Sequence, residues 1–149
     1  MSDPAPESSA NAGPDVLDFW LGDWTCTWEG GHGTNRITKE FDDHVVVERF
    51  ECLEKERWTG FSVSVHDEGH GWRQTWVDST GNYWALHGDA HPEGFAFSVG
   101  ELEDDREVLK RMVFSDIQAD RFAWRWERSF DAGDMWELLW AIDYRREGS

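Results

Sequence analysis

Lysine is scarce in this chain. Lys39, Lys55 and Lys110 are its only lysines, and with the arginines they make 14 basic residues against 31 acidic ones, a formal net charge of −17. A surface so short of cations offers no basic patch to phosphates, which argues against nucleic acid and against anionic membrane surfaces. No apolar run approaches the ~20 residues that a membrane-spanning helix needs. Cysteine is limited to Cys26 and Cys52. Both read as small buried thiols, because nothing indicates the oxidising compartment that a disulfide needs. The opening stretch, Met1 to Gly13, has neither a basic n-region nor an apolar h-region. It reads as a disordered tail and not as a signal peptide, so a cytoplasmic location is expected. The acidic balance suits solubility at high salt or in a crowded cytosol. It fits a salt-adapted or a high-GC bacterial source, which composition does not separate.

Tryptophan, by contrast, is abundant: 11 in 149 residues. The tryptophans recur at even spacing within short runs: Trp24 and Trp28, Trp72 and Trp76, Trp124 and Trp126, Trp136 and Trp140. Even spacing places side chains on one face of a β-strand. The runs are bounded by Gly, Asp, Asn and Ser, the signature of an all-β chain. Pro14–Leu21 is expected to form a short helix, with Pro14 at its start and Gly22 as its stop. Its Phe19, Trp20 and Leu21 are too apolar to stay wet, so it should plug one end of the β-structure. Ten strands are expected over 24–28, 35–41, 44–52, 58–65, 72–78, 83–89, 95–102, 108–115, 122–129 and 136–145. Connections of a few residues enforce antiparallel up-and-down order. A barrel removes the open edges that such a meander would otherwise expose. The expected organisation is a tail over 1–13 and one domain over 14–146.

Phe19-Trp20-Leu21-Gly22-Asp23-Trp24 resembles the G-x-W opening of lipocalin-like barrels, in which a short helix precedes the first strand. Further matching residues are Asn35-x-Ile37, Val47-Glu48-x-Phe50, Trp72-x-Gln74-x-Trp76-Val77-Asp78-x-x-Gly81, Trp126-Glu127-x-Ser129, and Trp136 through Tyr144-Arg145-Arg146. Together they make the chain similar to an uncharacterised bacterial family of lipocalin-like, calycin-type β-barrel domains. Trp124 and Phe50 depart from the pattern, which points to a reshaped pocket. The resemblance implies an antiparallel up-and-down lipocalin-like β-barrel of about ten strands. It implies no activity, because fold does not supply function.

Polar residues set into aromatic faces are the informative ones. They are Gln74, Asp78 and Arg128, followed by Glu48, His87 and Arg111. An apolar pocket with a few fixed polar groups is the usual form of a small-molecule site. Gln74, Trp76, Arg128, Trp126, Arg111 and Trp28 are expected to hold a ligand in a cavity open toward the GGHG, STGN and DAGD loops. Glu48, Asp78 and His87 are the candidate acid–base groups, since a dry cavity shifts carboxyl and imidazole pKa values. The bland alternative is that such groups satisfy one another, as Glu48 with Arg111 or Arg145 over Trp24 would. His44, His66, His70 and His91 fall among acids on one rim and read as solvated turn residues, so no metal is expected. Neither His87 nor His32 carries a haem motif, and no cofactor is expected. There is no G-x-S-x-G nucleophile motif, and Gly30-Gly31-x-Gly33 is not followed by a helix. The expected function is binding of a small hydrophobic or aromatic molecule. The alternative is a cofactor-independent enzyme of cyclase, isomerase or hydratase type in the same barrel. A third reading is a structural domain filled by its own tryptophans. A homodimer is a possible assembly.

Overall fold

The structure is a computed structural model and describes residues 13–148. Apart from Gly13, the expected tail lies outside the described residues. Ten strands form the fold: β1 (Gly22–Trp28), β2 (Gly31–Glu40), β3 (Val45–Cys52), β4 (Trp58–Asp67), β5 (Gly71–Asp78), β6 (Tyr83–His91), β7 (Gly94–Glu103), β8 (Arg106–Ser115), β9 (Arg121–Ser129) and β10 (Glu137–Arg146). Each pairs antiparallel with its neighbours in the chain, and β1 pairs with β10 to close a barrel. The expected all-β up-and-down barrel of ten strands is therefore present. Among the described residues, no helix is long and apolar enough to cross a membrane.

Local chemistry explains the turns. Asp104 and Asp105 both adopt positive φ, 50° and 65°, between β7 and β8. Aspartate tolerates that region because its short carboxylate can bond the local backbone. The GGHG segment is shorter as a turn than the sequence suggested. Only Glu29 and Gly30 lie between the strands, and Gly31 and Gly33 already belong to β2. A Cβ at Gly31 would strike the Trp28 indole, and one at Gly33 would strike the backbone carbonyl of Glu51. Gly31 thus makes room for an indole and Gly33 for the neighbouring strand.

The expected helix over 14–21 is reduced to a turn and a single 3-10 element, Asp18–Trp20. It does plug one end of the barrel. Leu17, Trp20 and Trp24 are buried there, with Phe19 packed edge-on to Phe114 and Phe122 at 5.5 Å. The Trp24 indole N–H donates to the Trp20 carbonyl at 2.8 Å. Lys39 ties the plug to β2 through Asp18 at 2.8 Å. The arginine over Trp24 is Arg146, with its guanidinium carbon 4.2 Å from the ring centroid. Arg146 also donates to the carbonyl of Leu21 at 2.8 Å. Arg145, the residue expected there, alternates to the outer face and bonds Asp143.

One register irregularity changes the reading of β10. Trp140 pairs with Trp126, yet Leu138 pairs with Glu127, so the alternation breaks between Leu138 and Trp140. An extra residue in one strand re-aims everything before it. Trp136 consequently leaves the inner face expected for it. It precedes the strand and lies under Arg111, whose guanidinium carbon sits 3.7 Å from the ring centroid. Leu138 is exposed.

Candidate functional site

The plug fills one half of the barrel, and an aromatic-lined pocket of about 350 Å³ occupies the other. Strand alternation builds it. Trp124 and Trp126 enter from β9, and Trp140, Ile142 and Tyr144 from β10. Phe50 and Trp58, from adjacent strands, stack with centroids 5.2 Å apart. Trp84 leans on Trp126 across the barrel at 5.2 Å. Trp140 meets Trp124 edge-on at 5.6 Å. Edge-to-face and offset pairs suit the ring quadrupole, so the indoles hold one another as walls.

Small residues on β4 give the walls their depth. Gly60, Ser62 and Ser64 face inward and are buried. A Cβ at Gly60 would fall on the six-membered ring of Trp76. Glycine there lets the Trp76 indole lie against the strand and leaves the space beyond it open.

Glu48 forms part of the pocket lining and is buried. One carboxyl oxygen accepts from the Ser62 hydroxyl at 2.6 Å, and the other accepts from the Asn35 amide at 2.8 Å. The same amide donates to the Tyr144 hydroxyl at 2.9 Å. No cation bonds Glu48 among the described residues. Burial therefore pushes its pKa up, and the Ser62 and Asn35 hydrogen bonds only partly oppose the shift. Burial likewise raises Tyr144 and Cys26. Both stay neutral beside it.

Asp78 marks the mouth. It accepts the Trp76 indole N–H at 2.9 Å, the Thr80 hydroxyl at 2.6 Å and the Thr80 backbone N–H at 3.0 Å. Asn82 adds its backbone N–H and its side-chain amide. Partial burial alone would raise this carboxyl, but bonds from Thr80, Trp76 and Asn82 outweigh it and hold the pKa at about 2. The result is a permanently ionised group that shapes the STGN turn and fixes the Trp76 ring.

The structure brings Trp76, Trp126, Glu48 and Asp78 together around the pocket. It places the other sequence candidates elsewhere. Gln74 faces inward but lies deeper, donating to Ser64 at 2.9 Å, with its own carbonyl oxygen buried and unpaired. Trp28 backs the wall, edge-on to Trp140 at 5.1 Å. Arg128 lies outside the pocket lining, tied to Glu137 at 2.9 Å and to Glu103 at 3.6 Å. Arg111 is next to the inward Met112 and so points outward, to Glu127 at 2.6 Å. Its partner is Glu127, not Glu48. His87 also turns outward, with its side chain 56% exposed and 3.9 Å from Asp89.

Residues that the sequence reading passed over complete the site. Trp58 shares the parity of Gly60 and Ser62, and Trp84 that of buried Leu86, so alternation alone could have found both. Lys110 shares the inward parity of Val108 and Met112 but lies outside the pocket lining. Its ammonium lies between Glu101 at 2.9 Å and Glu103 at 2.7 Å, and Trp84 donates to the same Glu101 at 3.1 Å. Among the described residues, no group of three or more metal-ligating side chains comes together. The chain matches no protein-family model and no curated protein sequence.

Proposed function

We propose that this chain is a calycin-type, lipocalin-like barrel, folded as one domain over 14–146, that binds a small aromatic or apolar molecule in its tryptophan-lined pocket. The observation that carries this reading is the pocket itself: about 350 Å³ in a chain rich enough in indole to have filled it. That volume falls within the ~300–1,000 Å³ typical of ligand sites. Flat ring surfaces line the walls, and the carboxyl of Glu48 and the hydroxyl of Tyr144 supply fixed polar contacts. A second reading rests on Glu48 alone. A buried carboxyl with a raised pKa suits general acid–base work, and would serve a cofactor-independent cyclase, isomerase or hydratase.

Calorimetric titration with a panel of bicyclic and tricyclic aromatics tests the binding reading. At least one compound should saturate the wild type at a single site. Trp76→Ala and Trp126→Ala should each weaken it by about tenfold or more, since a lost aromatic contact is worth about 1 kcal/mol beyond area. Circular dichroism should show both variants folded. If no aromatic saturates the wild type, the binding reading fails and the barrel is a structural domain.

A further inference from the structure

We infer that the pocket selects an organic cation: an arylalkyl ammonium or an aryl-bearing quaternary ammonium whose positive group sits among the indoles, against the carboxyl of Glu48. The inference rests on the binding reading above and narrows it to one charge class.

The lining holds two carboxyl groups, Glu48 and Asp78, and no Lys, Arg or His. Its walls are tryptophan faces, the aromatic surface on which a cation is held best. Lys110 and Arg128, which share β8 and β9 with Met112 and Trp126 of the lining, do not offset this, because each is already committed. Lys110 is bonded to Glu101 and Glu103, and Arg128 to Glu103 and Glu137. A carboxylate-bearing ligand would meet the ionised Asp78 in the lining, with no guanidinium there to receive it. A neutral aromatic would use the walls and leave Glu48 unused.

Glu48 is a buried carboxyl held by two neutral donors, Ser62 and Asn35. It lacks the counter-charge that buried carboxylates usually have. An ammonium in the pocket would be that counter-charge. The groups around Glu48 leave it the role alone. Tyr144 from β10 and Cys26 from β1 are the ionisable neighbours, both kept neutral by burial. From β2 and β4 come Asn35 and Ser62, which do not ionise. Binding of a cation therefore favours the ionised form of Glu48, opposing the upward shift from burial, and releases a proton wherever the empty pocket holds the carboxyl protonated. Asp78 is already ionised. It adds field at the mouth without taking part in that exchange.

The test compares naphthyl probes that differ only in charge: naphthylmethylamine and its trimethylammonium form, naphthylmethanol, and naphthoate. By calorimetry, both cations should bind at least about tenfold more tightly than the alcohol, the scale of a desolvated cation–π contact. Naphthoate should bind worst. Cation binding should release protons, seen as an enthalpy that varies with the ionisation enthalpy of the buffer. Its affinity should rise with pH as Glu48 ionises, at pH values above the ordinary carboxylate range. Glu48→Gln should abolish the proton release and most of the preference for cations, while binding of naphthylmethanol persists. Persistence of alcohol binding also reports that the variant's pocket is intact. If the variant does not fold, the wild-type ranking and its buffer dependence still decide. Equal or tighter binding of the alcohol, or preference for naphthoate, overturns the inference and leaves the binding reading standing. If none of the four probes binds, the inference fails, and the wider aromatic panel decides the binding reading.

Discussion

At the scale of single residues, two neighbours at the end of β10 show how strongly alternation sorts function. Arg146 covers the Trp24 ring and bonds the carbonyl of Leu21, whereas Arg145 lies outside with its side chain 61% exposed. Arg146→Met should therefore destabilise the fold by about 1–3 kcal/mol, through a lost cation–π contact and an unpaired plug carbonyl. Arg145→Met should stay within about 0.5 kcal/mol, as exposed surface substitutions do. Urea unfolding of both variants checks this, and a larger loss at Arg145 would reverse the assignment. Glu48 gives a second test. Its folded pKa is raised by burial. Its contribution to stability is thus fully present below the unfolded glutamate value and is lost as pH rises through the folded one. Glu93, Glu103 and Asp131 are held low, Glu93 by Arg125, Glu103 by Lys110 and Asp131 by backbone and Ser129 bonds. Their contributions run the other way and are lost as pH falls. Subtracting Glu48→Gln from wild type isolates the first trend. The wild type's advantage over the variant should shrink as pH rises from 4.5 toward neutrality. Parallel stability curves would show that Glu48 titrates normally.

At the scale of elements, β4 carries the test of how the pocket is kept open. Gly60 faces Trp76 with no room for a methyl group, while a Cβ at Gly100 would reach ordinary contact at 3.6 Å from Leu109. Gly60→Ala should cost about 1–3 kcal/mol, the usual penalty for overpacking, and should push the Trp76 ring into the pocket and weaken aromatic binding. Gly100→Ala, on a strand as well, should change stability by less than about 0.5 kcal/mol. Near-equal effects would mean that Trp76 relaxes freely. The strands themselves were legible because burial follows the period of two. Trp24 with Cys26, Gly60 with Ser62 and Ser64, and Ile142 with Tyr144 all show it. What alternation could not give was the bulge before Trp140. It moved Trp136 outside and is invisible as a break in composition. Nor could it give depth along the barrel. Gln74 lies on the expected face but meets Ser64 below the pocket. Arg111, expected in the pocket, faces outward, since Met112 and Phe114 fix the inward parity of β8. Arg128 was read as a ligand anchor. Its two carboxylate partners come from β7 and β10, a pairing set by register across the barrel and not by local sequence.

At the scale of the whole molecule, charge is the least balanced quantity. With 31 acidic and 14 basic side chains, carboxylates outnumber the cations available to pair them. Many cations hold two at once: Lys110 bridges Glu101 and Glu103, and Arg125 bridges Glu93 and Glu127. The remaining acids repel one another across a body whose radius of gyration should be about 15 Å for this length. At about 10 mM salt the screening length is ~30 Å, so every surface carboxylate feels the others; at about 1 M it is ~3 Å, and only direct contacts survive. Screening weakens the attractive pairs as well, but exposed pairs contribute only about 0–1 kcal/mol each. The net repulsion of a charge of −17 acts at longer range and is therefore removed first. Sodium chloride between these limits should raise the melting temperature by roughly 2–6 °C, the shift that about 1–2 kcal/mol produces in a domain this size. Most of the rise should come at the low-salt end, where the screening length falls below the molecular radius. A melting temperature that falls with salt would show that the bridged pairs outweigh the surplus charge. The acidic surface would then be a source of stability for the barrel and not a load on it.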